Sequence, residues 1–341
     1  MVGGGTAMAN LDSEFTPRRF LRCRHRQTIL AALFGGTVDL PDKQQHCVEL
    51  PDGDSLYVYD DSIASAAAST KPPVLLVHGL GGSHESSYMT RLASRLRQQS
   101  RNVFRMDMRG CGQGIAIAQK TAHAGASDDL ARTGLWVQRH TQKPNLQIVA
   151  FSLSGNILLK MLSELSSYPD LQISQAVAIC PPVDLAYSSE KITSKYLGFY
   201  DYQFIRSLKK DLATRRQHHP DCQWSTLSPF PKTLFDFDNR FTAPLNGFSD
   251  ALDYYRRSSS KDKLANITVP TTILVANDDP VVPAEIFDDV CLSDSTTLVR
   301  TEQGGHMGFL ARGAKRWMDD QIIHWLAQKP ANIPPANSRP S

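Results

Sequence analysis

A serine between an apolar run and a helical pattern is the first candidate for chemistry in this chain. Ser152 stands in IVAFSLSGNIL (148–158), and the residues before it are typical of a buried strand. A serine nucleophile on a sharp strand-to-helix turn is usually flanked by glycines, in the pattern G-x-S-x-G. Here Ala150 and Ser154 take the glycine positions, so both flanking side chains are still small. A serine that only caps the N-terminus of a helix is the alternative interpretation.

Two further residue types follow Ser152 in the order that a serine nucleophile requires. The serine needs a base, and the base needs an acid that orients it. TTILVANDDPVVP carries Asp278 and Asp279 after an apolar run, and STTLVRTEQGGHMGFL carries His306 after two glycines. The order serine, acid, histidine is that of α/β-hydrolases. The alternatives are an aspartate that caps a turn and a histidine packed in a loop.

A glycine-rich turn follows the first strongly apolar run. In VHGLGG (77–82), the backbone N–H of Leu80 is expected to join that of Leu153 as a donor to a developing oxyanion. The turn lacks both the G-x-G-x-x-G spacing and a G-K-[ST] ending, which disfavours nucleotide binding, as does the composition of RGCGQG (109–114). Asp107 precedes the serine in the chain, so we expect it to organise a loop rather than to act as the acid.

The elements that must position these residues alternate between strands and helices. Apolar runs without polar alternation predict strands covered on both faces, and the segments between most of them have a helical pattern. The fold class is therefore α/β, with a mainly parallel twisted sheet and helices on both faces. A hairpin with an Asp-Gly turn is predicted at 47–61. The strands are predicted at 73–79, 102–108, 146–151, 175–180, 271–276 and 295–300, and helices at 86–99, 127–140 and 155–165.

One long segment breaks this alternation. Between residues 185 and 263 there is no convincing central strand, but there are helical stretches, prolines and many aromatic residues. We predict a helical cap over the strand ends, where open α/β sheets bind ligands, with most of its aromatics in its own small core. The predicted division is a flexible tail at 1–16, a first core part at 17–184, the cap at 185–263, a second core part at 264–328 and a flexible tail at 329–341.

Composition excludes several classes of function. The 341 residues carry a formal net charge of only +3, which does not favour a nucleic-acid partner. Six scattered cysteines without a C-x-x-C pair disfavour a zinc site and favour a reducing, cytoplasmic location. The histidines His84, His123, His218 and His219 form no recognisable ligand motif. We therefore expect no metal, no cofactor and no obligate protein partner.

The basic segment near the N-terminus has three interpretations. PRRFLRCRHRQTILAALFGG (17–36) has five arginines before a short apolar stretch. The favoured interpretation is a helix that packs on the protein through Ile29, Leu30, Leu33 and Phe34. An export signal is disfavoured because the apolar part is short and no cleavage site follows. A basic interfacial helix that touches anionic lipid is the third interpretation, and it would make the protein a peripheral membrane protein.

From about Phe15 to about Leu326, the chain resembles the YheT-like branch of the α/β-hydrolase superfamily, the AB hydrolase 4 group. The cap stretch is the most discriminating part of the resemblance, because generic α/β-hydrolases lack it. The resemblance implies a serine hydrolase, an esterase in particular, with some relatives acting on acylglycerols or phospholipids. It is carried by FTPRRFLRCRHRQTIL, HGLGGSHESSY, FRMDMRGCGQG, AFSLSGNILLK, RFTAPLNGFSDALDYYRRSSS, DDP and GGHMGF.

The resemblance also implies a role for each candidate residue. Ser152 matches the family's nucleophile, His306 its base and Asp279 its acid, and Asp278 is the neighbour that stays open. The chain departs from the family at the elbow, where relatives usually have glycine on one or both sides of the serine. The expected activity is hydrolysis of small-molecule or lipid esters through an acyl-enzyme. The alternatives are a non-catalytic protein that binds an apolar ligand, and an acyltransferase with the same three residues.

Overall fold

The computed structural model describes the greater part of the chain. Of the two predicted tails, only Phe15 and Thr16 are among the described residues. Cys222 and Trp224 also lie outside the described residues. The described residues are 15–63, 66, 69–220, 228–312 and 316–328.

Eight strands form one sheet, in the order β1-β2-β4-β3-β5-β6-β7-β8. The β1–β2 hairpin is antiparallel, as predicted, and β2 is also antiparallel to β4; all other neighbours are parallel. The α/β class with a mainly parallel sheet is therefore confirmed. The strands are β1 Gln44–Glu49, β2 Ser55–Asp60, β3 Val74–Val77, β4 Val103–Met106, β5 Leu146–Phe151, β6 Ile173–Ile179, β7 Thr271–Ala276 and β8 Thr296–Thr301.

Helices follow most of the parallel strands and cover the sheet. The strands β3, β4 and β5 are buried along their whole length, which explains why their sequences show no polar alternation. The α-helices are α1 Arg24–Leu33, α2 Ser87–Arg97, α3 Ser127–Thr141, α4 Leu153–Ser163, α5 Leu185–Ser194, α6 Phe199–His218, α7 Leu234–Phe237, α8 Ala243–Leu245, α9 Ala251–Ser258 and α10 Trp317–Ala327. Short 3-10 helices lie at Gly112–Ala116, Leu165–Ser167, Lys195–Gly198, Lys261–Asn266 and Ala284–Phe287, and a π-helical turn lies at Asp238–Thr242.

The described part of the segment between β6 and β7 contains helices joined by turns and irregular stretches, and no strand. It holds α5 to α9, and its aromatics form two small clusters, one around Phe237 and Phe241 and one around Tyr254 and Tyr255. These clusters agree with the prediction that most of the aromatics pack among themselves. The division of the chain into core and cap at 185 and 263 remains our proposal.

The helix α1 does not pack in the predicted way. Leu33 is 71% exposed and Phe34 69% exposed, so the prediction that both pack on the protein is wrong. The one fully buried residue of α1 is polar: Gln27 donates from Nε2 to Leu21 O (2.8 Å) and accepts from Leu310 N (2.7 Å). The other two residues that were predicted to pack, Ile29 and Leu30, are half-buried, so of the four only the pair at the C-terminal end of the helix is left exposed.

Among the described helices, none combines the length and the apolar character that a membrane-spanning helix needs.

Candidate active site

Ser152 lies on a sharp turn between β5 and α4. The strand ends at Phe151 and the helix begins at Leu153, so Ser152 is the only residue between them. Its backbone has φ 54° and ψ −121°, a conformation that is strained for any residue with a side chain. The Ser152 N–H is held by Ile179 O of the neighbouring β6 (2.7 Å). The turn therefore has the geometry of a nucleophile elbow, although the flanking glycines are missing.

The two substituted positions beside the elbow are both fully buried. Ala150 contributes only a methyl group. The hydroxyl of Ser154 accepts from Phe151 N (2.9 Å) and lies 2.8 Å from Val77 O of β3, to which it can donate. Sequence reasoning treated Ser154 only as a small residue. In the structure its hydroxyl also links the elbow to the neighbouring strand.

His306 and Asp279 complete a chain of hydrogen bonds that begins at Ser152. The Nε2 atom of His306 is 2.9 Å from Ser152 Oγ, and its Nδ1 atom is 2.8 Å from Asp279 Oδ2. The other carboxylate oxygen of Asp279 accepts from Val281 N (2.8 Å) and Val282 N (2.9 Å). The Asp279 carboxylate is thus fixed on one side and faces the imidazole with the other. In the matching tautomer, His306 donates from Nδ1 and accepts the serine proton at Nε2.

Asp278, the neighbour that the sequence left open, has a different environment. Its Oδ1 atom accepts from Gly305 N (2.8 Å), in the loop that carries His306. Burial raises the pKa of Asp278, against the opposing effect of that backbone N–H. The structure thus places Asp279 against the imidazole and Asp278 against the backbone of the histidine loop.

The two expected oxyanion donors lie beside Ser152. Leu80, Leu153 and Ser152 line the same cavity. Among the hydrogen bonds between described residues, none is donated by the N–H of Leu80 or Leu153. Gly79 allows the close approach of the two loops, because a Cβ at this position would lie 3.0 Å from Ser152 Cβ. Both N–H groups thus meet one requirement of an oxyanion donor, which is to have no other acceptor among the described residues.

Two buried residues, His84 and Asp107, join the glycine-rich turn after β3 to the loop after β4. Asp107 Oδ1 accepts from His84 N (2.5 Å), and Asp107 Oδ2 lies 2.9 Å from His84 Nδ1. His78 Nε2 accepts from Met108 N (3.1 Å), which adds a second tie between the same two loops. These contacts agree with the expectation that Asp107 organises a loop. The sequence did not predict these hydrogen bonds of His78 and His84, because their partners in the loop after β4 are more than 20 residues away in the chain.

Ser152 stands between two cavities. One is mainly apolar, lies under the helices between β6 and β7, and includes two acidic residues, Asp211 and Asp238, in its wall. Its apolar wall includes Leu185, Phe204, Leu208, Leu234, Phe241 and Val282. The other is a groove on the α1 side, lined by Thr28, Ala31, Ala32, Gly81 and Met307 together with His306. A substrate with its reacting carbon at Ser152 can therefore extend in two directions.

The helix α1 contacts the histidine loop directly, which the sequence did not predict. Thr28 Oγ1 accepts from the backbone N–H of His306 (2.9 Å). Gly305 has φ 59°, and a Cβ there would meet Arg24 O of α1 at 2.6 Å, so glycine permits the contact. The partners are far apart in the chain, and a single threonine on a basic helix carries no signal of such a contact.

Cys180 is a second unpredicted neighbour of the site. One ligand-type atom each of Cys180, Asp279 and His306 lies within 4.8 Å of the other two. Burial and the Asp279 carboxylate raise the pKa of the Cys180 thiol well above its usual range. The thiol is therefore protonated at neutral pH, which makes it a poor metal ligand and a poor nucleophile.

The chain matches known proteins in sequence and in fold. Residues 72–312 match the family model for the alpha/beta hydrolase fold. YheT of Escherichia coli, whose name carries an esterase assignment, is 29% identical over 92% of this chain and 93% of its own length. Monoacylglycerol lipase of Saccharomyces cerevisiae is 26% identical over 75% of this chain and 59% of its own length.

Solved structures show the same fold. The esterase Pf2001 of Pyrococcus furiosus superimposes with a TM-score of 0.56 at 16% identity, over 87% of this chain and 96% of its own. The family match spans well over half of the chain, and the resemblance to the YheT-like branch is confirmed by the match to YheT itself. The chain therefore belongs to the α/β-hydrolase family.

Proposed function

We propose that this protein is a serine hydrolase that cleaves carboxylic esters through an acyl-enzyme. The observation that carries the proposal is the hydrogen-bonded series Ser152, His306 and Asp279, which starts at a strained elbow. The arrangement has a nucleophile, a base within reach of its proton, and an acid that orients the base. Two N–H groups beside the serine, those of Leu80 and Leu153, supply the oxyanion site.

The first half-reaction acylates the serine. His306 Nε2 takes the Ser152 hydroxyl proton while Oγ attacks the ester carbonyl carbon. The carbonyl oxygen becomes an oxyanion that the two N–H groups stabilise, and Asp279 supports the imidazolium. The carbon–oxygen bond of the leaving alcohol then breaks, and the alcohol departs with the proton from Nε2. Each oxyanion donor is typically worth about 3–4 kcal/mol of barrier.

The second half-reaction releases the acid. Water gives a proton to His306 Nε2 as its oxygen attacks the acyl carbon. The tetrahedral intermediate collapses, the bond to Ser152 Oγ breaks, and the proton returns from Nε2 to the serine. Every group that moves a proton belongs to the chain itself.

The two cavities support an ester with an apolar acyl chain as the substrate. The cavity under the helices between β6 and β7 is mainly apolar and reaches Ser152, which suits the acyl chain. The groove on the α1 side suits the alcohol part. The name of the yeast relative, a monoacylglycerol lipase, supports a lipid ester such as an acylglycerol.

Turnover of a chromogenic acyl ester by Ser152→Ala tests the proposal. The variant should lose at least about a thousandfold in kcat, because nothing else at the elbow can attack the carbonyl. Ser163→Ala, at the other end of α4, is the matched control and should keep full activity. An alanine variant at 152 that still turns over the ester would exclude the proposed mechanism.

Acyl transfer is a second candidate, because the same acyl-enzyme can react with an alcohol. The groove that leads to Ser152 can admit an alcohol as well as water. Product ratios with and without added alcohol separate the two activities. A new ester that exceeds the free acid at modest alcohol concentration would favour transfer.

We also propose peripheral contact with an anionic membrane through the segment 18–34. Five arginines lie in this segment, and Phe20, Leu33 and Phe34 are its large exposed apolar side chains. Basic groups around exposed apolar tips are the pattern of an interfacial helix. The segment also borders the groove at Ser152, since Thr28, Ala31 and Ala32 line that groove.

A further inference from the structure

The side chains of two histidines and an aspartate lie close together at the end of the sheet that is opposite to the end where Ser152 lies. His46 lies on β1, Asp60 is the last residue of β2, and His140 lies in the last turn of α3. Asp60 pairs with Phe104 near the amino end of β4, and α3 ends shortly before β5 begins. The cluster is therefore at the amino ends of the parallel strands, whereas Ser152 follows the carboxyl end of β5.

From this cluster we propose a binding site for a divalent transition-metal cation of the zinc type. One imidazole nitrogen from each histidine and one Asp60 carboxylate oxygen all lie within 4.8 Å of one another. His140 Nε2 is 3.4 Å from Asp60 Oδ2. Two ligands of a tetrahedral zinc ion, each about 2.0–2.1 Å from the metal, are about 3.3 Å apart, so this pair already has the required spacing.

The third ligand needs only a small movement. The remaining distances of up to 4.8 Å shorten to the tetrahedral value if the His46 ring turns toward the other two side chains. His46 Nε2 is buried and has no hydrogen-bond partner within the part of the chain that the structure describes. A buried nitrogen without a partner is unfavourable, and a bound cation would satisfy it. Three protein ligands leave the fourth position to water.

The surroundings hold two of the ligands in place. Asp60 Oδ1 accepts from Ser62 N (2.8 Å), which leaves Oδ2 turned toward His140. Such bonds to the non-ligating oxygen are the usual support of a metal ligand. The His140 ring stacks on Trp136, with ring centroids 4.6 Å apart. The last turn of a helix also favours a nearby positive charge.

The ligand types indicate the class of cation. Imidazole nitrogens with one carboxylate suit zinc, nickel, cobalt and copper, whereas calcium and magnesium prefer oxygen ligands throughout. The cation would join the β1–β2 hairpin to α3, so its effect belongs to stability and not to the chemistry at Ser152. The sequence analysis expected no metal, because the three residues of this site come from three separate elements and form no local motif.

Calorimetric titration of the full chain with zinc chloride tests the site. The wild type should bind one zinc ion here, and His46→Gln and His140→Gln should weaken that binding on the order of tenfold to a hundredfold or more. Asp60→Asn retains the acceptor for Ser62 N and should weaken it as well. His324→Gln, which removes an exposed histidine of α10, is the matched control and should bind like the wild type. Near-ultraviolet circular dichroism checks that each variant is folded.

Trp136 gives the location of the bound ion. Cu²⁺ should quench the Trp136 emission of the wild type, and Trp136→Phe should lose that quenching while it still binds zinc. With Co²⁺, a site of two imidazoles and a carboxylate gives no thiolate charge-transfer band, whereas a site at Cys180 does. The proposal is overturned if the wild type binds no zinc, if the two glutamine variants bind it unchanged, or if the cobalt complex shows the thiolate band.

Discussion

Ser154 occupies a position where a glycine is expected, and its hydroxyl takes part in the structure of the elbow. It accepts from Phe151 N and can donate to Val77 O, so it links the end of β5 to β3. Smallness at this position could be predicted from the sequence, because serine is among the smallest residues. The hydrogen bonds could not, because β3 is adjacent to β5 only in the folded sheet.

Ser154→Ala should lower the free energy of unfolding by about 1–3 kcal/mol, because it leaves two buried backbone groups without this partner. Urea unfolding measures the change. Ser163→Ala is the control, since the Ser163 hydroxyl donates to Lys160 O within its own helix, and it should change stability by no more than about 0.5 kcal/mol. Equal stability of the alanine variant at 154 and the wild type would contradict the structural role of this hydroxyl.

Asp238 is a buried acid in the wall of the mainly apolar cavity. Burial raises its pKa from 3.8 to about 6, although Tyr255 OH donates to its Oδ2 atom (2.7 Å). In the unfolded chain this carboxyl ionises first, so the folded state loses relative stability as pH rises from about 4 to about 6, and the loss is then constant. A rise of this size corresponds to about 3 kcal/mol of unfolding free energy at neutral pH.

Asp238→Asn should remove this pH dependence. The stability of the variant relative to the wild type should increase between about pH 4 and about pH 7, by a few kcal/mol, because asparagine does not ionise. Chemical unfolding at a series of pH values gives the difference. Asp262→Asn, at an exposed position in the 3-10 helix Lys261–Asn266, serves as the comparison. If the difference in unfolding free energy between Asp238→Asn and the wild type were constant over this pH range, the raised pKa of the buried Asp238 carboxyl would be contradicted.

At the scale of elements, α1 supports the loop that carries the proposed base. Thr28 Oγ1 accepts from His306 N, and Gly305 fits against the backbone of Arg24. We expect Thr28→Val, which keeps the shape but removes the acceptor, to lower kcat about fivefold with little change in KM. The reason is that a hydrogen bond of about 1 kcal/mol no longer orients the histidine loop.

Thr28→Ser supplies the control for this positioning role. Its hydroxyl can accept the same hydrogen bond, so kcat should return to near the wild-type value. Steady-state kinetics with one ester substrate measures both variants. If Thr28→Val leaves kcat unchanged, or if Thr28→Ser has the same lowered kcat as Thr28→Val, then α1 does not position His306 through Thr28.

The elements differ in how far the sequence predicts them. The central strands could be predicted because burial on both faces produces short apolar runs in the sequence. The first of these strands begins at Val74, and β7 ends at Ala276. The serine, the aspartate pair and the histidine were predicted because each follows a strand. The packing of α1 was predicted wrongly, since an apolar stretch does not tell whether Leu33 and Phe34 face protein or solvent.

At the scale of the whole molecule, the proposed contact with a lipid surface depends on the basic segment 18–34. Replacing Arg18, Arg19 and Arg22 by glutamine should weaken binding to phosphatidylserine-containing vesicles by tenfold or more, because each basic residue near such a surface contributes about 1 kcal/mol. Leu33→Ser with Phe34→Ser should also weaken it. Co-sedimentation with vesicles measures the binding.

The control for the membrane experiment is Leu252→Ser, a comparably exposed leucine on α9. It should bind vesicles like the wild type, and vesicles of phosphatidylcholine alone should bind all variants weakly. A wild type that binds neither kind of vesicle, or arginine variants that bind as well as the wild type, would contradict the proposed contact.

The most direct test of the central claim is to label the folded protein with a fluorophosphonate and to locate the adduct by peptide mass spectrometry. We expect one modified residue, Ser152, because His306 lies within hydrogen-bond distance of its hydroxyl and the two N–H groups lie beside it. Labelling should be lost in Ser152→Ala and retained in Ser163→Ala. A folded protein that gives no adduct at Ser152 would contradict the account and would favour a non-catalytic, ligand-binding α/β-hydrolase.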